Sequence, residues 1–121
     1  MEYEGDFVKN KIVEFEIEGR KFKYKAATSR DESEWINEYI EIIDGQAVQN
    51  LQNLTKCKIR NLIEVPYNKE LIISIIGKEK EWKELNKEER WDFLGEMSPQ
   101  LFNKIIMKIN EIDGASEVKK N

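Results

Sequence analysis

A chain of 121 residues has room for one domain with its own core, and 40% apolar against 36% charged residues is the balance of a folded protein with a heavily solvated surface. Its net charge of −4, from 20 lysines and arginines against 24 aspartates and glutamates, is not relieved by any basic block, which argues against nucleic-acid binding. With no histidine and one cysteine, Cys57, the common general bases, thiol dyads and zinc sets are largely missing, and no internal disulfide can close.

The opening Met1-Glu2-Tyr3-Glu4-Gly5-Asp6 has neither the basic nor the apolar region of a secretory signal. No apolar run is long enough to cross a bilayer, so the expected location is the cytoplasm. The expected organisation is an N-terminal extension over 1–10, one hairpin-plus-helical domain over 11–112 and a flexible tail over 113–121.

Over residues 11–24, Val13, Phe15 and Ile17 alternate with glutamates, and Phe22 and Tyr24 alternate with lysines, so the period of two predicts a β-hairpin with one apolar face. Gly19 supplies the positive φ of its turn. Glu14 and Glu16 then face Lys21 and Lys23 across the solvent side. A lone hairpin is marginal in water, so its apolar face requires helices or another copy of the chain.

Ser29 with Glu32 reads as a capping box opening a helix that carries Trp35, Ile36, Tyr39, Ile40 and Ile43 and ends at Asp44-Gly45, the glycine serving as a left-handed C-cap. Residues 46–65 read as a longer helix with Val48, Leu51, Leu54, Ile59 and Leu62 broadly on one face, stopped before Pro66. Lys58 interrupts that face: either its stem snorkels to water or the helix breaks near Thr55.

The all-apolar run Leu71-Ile72-Ile73-Ser74-Ile75-Ile76 fits helix or strand, and Asn68 as an N-cap favours a short buried helix closed by Gly77. A short charged helix is expected over 78–85, with Glu79 and Lys83 paired and Trp82 near Leu85. Asn86 and Glu89 form the next capping pair, before Trp91, Leu94 and Met97. Ser98-Pro99 opens the last helix, where Leu101, Phe102, Ile105, Ile106, Ile109 and Ile112 trace the clearest apolar stripe of the chain. The whole reads as α+β and mainly helical: an N-terminal β-hairpin followed by about five or six packed helices.

Candidate chemistry is sparse. The acidic groups Asp31-Glu32-Glu34 and Glu88-Glu89-Asp92 lie at helix beginnings, where the dipole favours carboxylates, and are read as structural rather than metal-ligating. Cys57 reads as a small, partly buried apolar residue. All six glycines are isolated, so no phosphate loop forms. No catalytic, cofactor or metal residue is assigned. Trp35 and Trp91 begin amphipathic stripes and read as core. Trp82, within Lys-Glu-Lys-Glu-Trp-Lys-Glu, has little apolar company beyond Leu85; it is either a contact surface or a cap on the core. Trp82, Leu85 and Tyr67 are therefore the candidate partner-binding residues.

In order, the hairpin Phe15-Glu16-Ile17-Glu18-Gly19-Arg20-Lys21-Phe22, the Thr28-Ser29 helix start, the helix ending in Leu62-Ile63-Glu64-Val65-Pro66, Trp82-x-x-Leu85 with Asn86-x-x-Glu89-Arg90, and the closing Pro99-x-Leu101 helix resemble the tail assembly chaperones of long-tailed bacteriophages and prophages. The likeness spans roughly residues 10–112 and is one of layout. It implies a non-enzymatic protein that coats and solubilises the tape measure protein, recruits the tail tube protein and departs before the virion is complete. The family often makes a longer product by ribosomal frameshifting, and the lysine and asparagine codons of Val118-Lys119-Lys120-Asn121 suit an A-rich slippery site. Neither the first ten residues, nor Lys58, nor the Leu71 to Ile76 run maps onto a binding face of that family.

Two other readings stand beside it. One is a small acidic regulatory or inhibitory protein of a mobile element that binds a host enzyme. The other is a DNA-binding regulator using the Ser98 to Ile112 helix, which the negative charge disfavours. Self-association through the free edge of the first hairpin is a further expectation.

Overall fold

The computed structural model describes Tyr3 and residues 11–115. Strands β1 (Ile12–Ile17) and β2 (Arg20–Lys25) form the expected hairpin. Val13 faces Tyr24 and Phe15 faces Phe22, while Glu14 opposes Lys23 and Glu16 opposes Lys21 on the other side. The Phe15 and Phe22 rings stack at 5.3 Å, so the strand alternation turns directly into one buried aromatic face.

Helix α1 (Ser29–Tyr39) follows, but its cap is one residue earlier than the sequence pattern placed it. Thr28 accepts from the Asp31 amide, and the Asp31 carboxylate accepts from the Thr28 amide, in a reciprocal box. The helix also ends early. Residues 40–43 form strand β3 (Ile40–Ile43), paired with β4 (Gln46–Gln49), where continuous helix was expected. Asp44 and Gly45 both have positive φ, 53° and 79°, so Asp-Gly makes a two-residue hairpin turn instead of a helix cap.

The helix expected over 46–65 is thus replaced by three elements: β4, α2 (Leu51–Ile59) and β5 (Leu62–Glu64). Asn50 caps α2 by accepting from the Asn53 amide. The break comes at Arg60-Asn61 rather than near Thr55. There the Asn61 side chain donates to the Lys25 carbonyl, the Lys25 amide donates to the Asn61 carbonyl, and the chain turns onto β2. Strand β5 pairs antiparallel with β2, giving a sheet of order β1-β2-β5 in which β1 is an edge.

Helix α3 (Lys69–Ile76) is capped by Asn68 and closed by Gly77 in the left-handed region, as its sequence suggested. It is not a buried helix: Ile72 is fully buried, but Leu71 and Ile75 face solvent. The expected charged helix over 78–85 shrinks to a single 3-10 turn, Trp82–Glu84. Helix α4 (Lys87–Leu94) starts with the Asn86–Glu89 box, and α5 (Pro99–Ala115) starts at its proline.

The first hairpin followed by five helices makes an α+β fold. One core joins the sheet residues Phe15, Phe22, Tyr24 and Leu62 to Ile72, Trp82, Leu85, Phe93, Leu94, Ile105, Ile109 and Ile112. A smaller cluster of Ala27, Trp35 and Cys57 seals α1 on α2. Burial raises the Cys57 thiol pKa and leaves it an apolar filler. Trp91 is half-buried, edge-on to Phe102.

Asp113, assigned by sequence to the tail, belongs to the interior. It is 4% exposed; its Oδ2 accepts from the Tyr24 hydroxyl at 2.8 Å and its Oδ1 from the Ala27 amide at 2.9 Å. Lys58 resolves along with it. The side chain runs inward, its ammonium 3.2 Å from Asp113 Oδ2 and 2.9 Å from Asn110 Oδ1 at the end of α5, so the interruption in the apolar stripe is an ion-pair position. The extension before Lys11, apart from Tyr3, and the chain beyond Ala115 lie outside the described residues, including the Val118 to Asn121 run.

Candidate functional site

Of the three residues singled out by sequence, two lie inside the protein. Trp82 is 6% and Leu85 5% exposed, which puts both in the core rather than on a contact surface. The Trp82 indole N–H donates to the Leu62 carbonyl at 2.6 Å, and the Arg90 guanidinium lies over the ring at 4.7 Å.

Arg90 explains why that segment is arranged as it is. The side chain, 7% exposed, donates to the carbonyls of Ile59, Arg60, Leu62 and Trp82 at 2.9–3.3 Å. It thereby satisfies the carbonyls at the end of α2 and holds the turn into β5. Burial lowers the Arg90 pKa, and the four carbonyl oxygens at its two terminal nitrogens replace part of the hydration that the cation lost. Beside it Glu89 is clamped by Lys78 at 2.7 Å, by the Asn86 amide and by Lys80, which together pull its pKa down to about 2. These groups are occupied in holding loops together, and nothing in their geometry offers a substrate a free acid or base.

Tyr67 has a different setting. Its ring meets Phe22 and Phe93 edge-on and tilted, at 6.2 and 5.6 Å, while its hydroxyl oxygen is buried on the side of the cleft that Arg20 also lines. Burial raises the Tyr67 pKa, so the phenol stays protonated. The residue forms one wall of an apolar cleft of about 180 Å³ with Leu71, Ile75, Phe93, Met97 and Leu101, and Arg20 and Glu96 stand at its rim. Leu71 is 40% and Ile75 38% exposed. The i, i+4 spacing of these two side chains on α3 builds a greasy ridge beside a concavity, the shape that accepts the apolar face of another chain.

A second apolar surface was invisible in the helical reading of its residues. Every residue over 41–49 is exposed, so among the described residues neither face of the β3–β4 hairpin is covered there. Ile42 is 70%, Ile43 50% and Val48 41% exposed, with Leu51 and Ile36 continuing the apolar surface at its base. Two signals for it were present in the sequence. Asp-Gly between short β-branched runs is a strong hairpin mark. Moreover, from Asp31 to Thr55 there are six carboxylates and no lysine or arginine, so this arm region carries more negative charge than the whole chain does net.

Among the described residues no group of histidine, cysteine, aspartate and glutamate could hold a metal ion, and no helix is long and apolar enough to cross a membrane. Comparisons with models of protein families, with curated proteins and with solved structures give no match for this chain.

Proposed function

We propose that this protein is a non-enzymatic assembly chaperone or adaptor that works by holding an apolar segment of another polypeptide. The observation that carries the reading is the cleft beside Tyr67, where Leu71 and Ile75 stand exposed at helical spacing over a concavity walled by Met97 and Leu101. Exposed apolar side chains at i, i+4 serve binding, since burying them on a client releases water, and methionine adapts to varied shapes. The layout-level resemblance to phage tail assembly chaperones makes the tape measure protein the client, with the tail tube protein as second partner. Work of this kind needs no cofactor, and the cytoplasm of a bacterial or infected cell is where it would take place.

The acidic inhibitor reading has one observation in its favour, the carboxylate-rich segment from Asp31 to Asp44. The DNA-binding reading has less. Helix α5 turns its apolar stripe into the core, Lys104 is paired with Glu18, and Lys108 with Glu111.

A tagged pull-down from cells carrying the native genomic neighbourhood tests the proposal, run with the parent chain and with Leu71→Lys and Ile75→Lys. Recovery of a very long helical protein or a tail tube subunit, lost in the two variants, is the expected outcome. Recovery of one unrelated host enzyme, or of nucleic acid alone, overturns it.

A further inference from the structure

The β3–β4 arm has properties that natural sheets usually avoid. Its four residue pairs run in unbroken register from Ile40 opposite Gln49 to Ile43 opposite Gln46, with no bulge. Neither strand contains lysine or proline, the residues that commonly blunt an exposed edge. Among the described residues no further strand pairs with either outer edge, where backbone donors and acceptors lie beside exposed Ile42, Ile43 and Val48. A two-stranded hairpin with no apolar face buried is marginally stable by itself, so a third strand would supply what this one lacks.

Charge decides which edge and which occupant. Glu34, Glu41 and Asp44 have no basic partner among the described residues, whereas Glu38 is held by Lys87 and Arg60. Pairing of two such arms would set like charges against each other. Strand β3 carries Glu41 and three isoleucines, Ile40, Ile42 and Ile43; β4 is uncharged. We propose that the outer edge of β3 captures, by strand addition, an extended segment of a partner protein in which lysine or arginine alternates with β-branched residues. The added strand pairs its backbone with Ile40–Ile43, its cation with Glu41 and its apolar residues, on the opposite face, with Ile40 and Ile42. This site is separate from the Tyr67 cleft and stands whether or not the cleft holds a chaperone client.

The test uses the full chain and a fluorescein-labelled nonapeptide of alternating lysine and valine, read by anisotropy. Three comparison probes accompany it: the glutamate–valine peptide, the lysine–valine peptide with alternate amides N-methylated, and a helical peptide of equal positive charge. The lysine–valine peptide is expected to bind. N-methylation, which removes backbone donors without changing charge, should abolish that binding, and Glu41→Lys should weaken it about tenfold, in line with loss of a complementary charge. Amide exchange of the α4 and α5 cores, unchanged in the variant, shows that it remains folded. Equal binding of the N-methylated or helical probe would mean unspecific charge attraction and overturn strand addition. Absence of lysine–valine binding overturns it as well, as does a concentration-dependent dimer abolished by Glu41→Lys, which would give the edge to a second copy.

Discussion

The two hairpins of this protein share one turn and differ in nearly everything else. In each, a carboxylate residue followed by glycine occupies the turn with positive φ at both positions: 50° and 84° at Glu18-Gly19, 53° and 79° at Asp44-Gly45. The first hairpin lays Phe15, Phe22 and Tyr24 against helices and is extended by β5; the second projects with both faces in water. Local turn chemistry can start a hairpin in either place, but burial decides whether it becomes framework or remains available for binding.

That contrast can be broken most forcefully in the core. Phe22→Ala is expected to cost about 3–5 kcal/mol by the usual penalty for an emptied aromatic site, read from urea unfolding. Next, Asp113→Ala removes the acceptor shared by the Tyr24 hydroxyl and the Ala27 amide and leaves Lys58 without its carboxylate, for a loss of about 3 kcal/mol. Tyr24 adds a pH signature. Burial first, and then the neighbouring Asp113, push its pKa far above the usual tyrosine value, so the neutral phenol favours the fold. Stability from this group is complete below the unfolded pKa of 10.0 and should fall as pH rises beyond it. Tyr24→Phe should flatten that alkaline limb.

Smaller effects sharpen the comparison. Gly19→Ala and Gly45→Ala each force an alanine into the left-handed region at about 1 kcal/mol, with open space around both added methyls. The first is expected to lower global stability. The second should speed amide exchange in β3 and β4 alone, and a global loss there would show the arm to be part of the cooperative unit. At the acid end, Glu89 is held down to about 2 by Lys78, Asn86 and Lys80, below its ordinary value of 4.5. Its contribution is complete above 4.5 and lost as pH falls toward 2, and Glu89→Gln should remove that part of the acid limb. The smallest thermodynamic effect belongs to Ile42→Thr, within about 0.5 kcal/mol because the side chain is already in water. A large loss there would contradict an exposed arm.

Much of the framework follows from patterns within a few residues of one another. The alternation over Ile12–Ile17 and Arg20–Lys25, the Asn68 and Asn86 caps, the Gly77 stop and the Pro99 start all correspond to local hydrogen bonds or to a period of apolar residues. The candidate sites were less legible. Trp82 has charged neighbours in sequence, and only the packing of Arg90 and Phe93 from α4 onto its ring decided between the surface and core readings that its local composition left open. Leu71 and Ile75 had the opposite fate: an all-apolar run has no periodicity from which to tell which members remain outside.

By itself the sequence determined the first hairpin and its register, the caps of most helices, the apolar stripe of α5 and the lack of any histidine. Those depend on backbone geometry, side-chain spacing and residue chemistry, which do not await a partner. Only the tertiary structure decided that α2 stops at Arg60-Asn61, where Arg90 and β2 take up the backbone groups that further helix would have used. It likewise paired half-buried Lys58 with buried Asp113 and left residues 41–49 in solvent. Each of these depends on contacts between segments distant in sequence, and such contacts outweigh helix or strand propensities worth only tenths of a kcal/mol per residue, roughly.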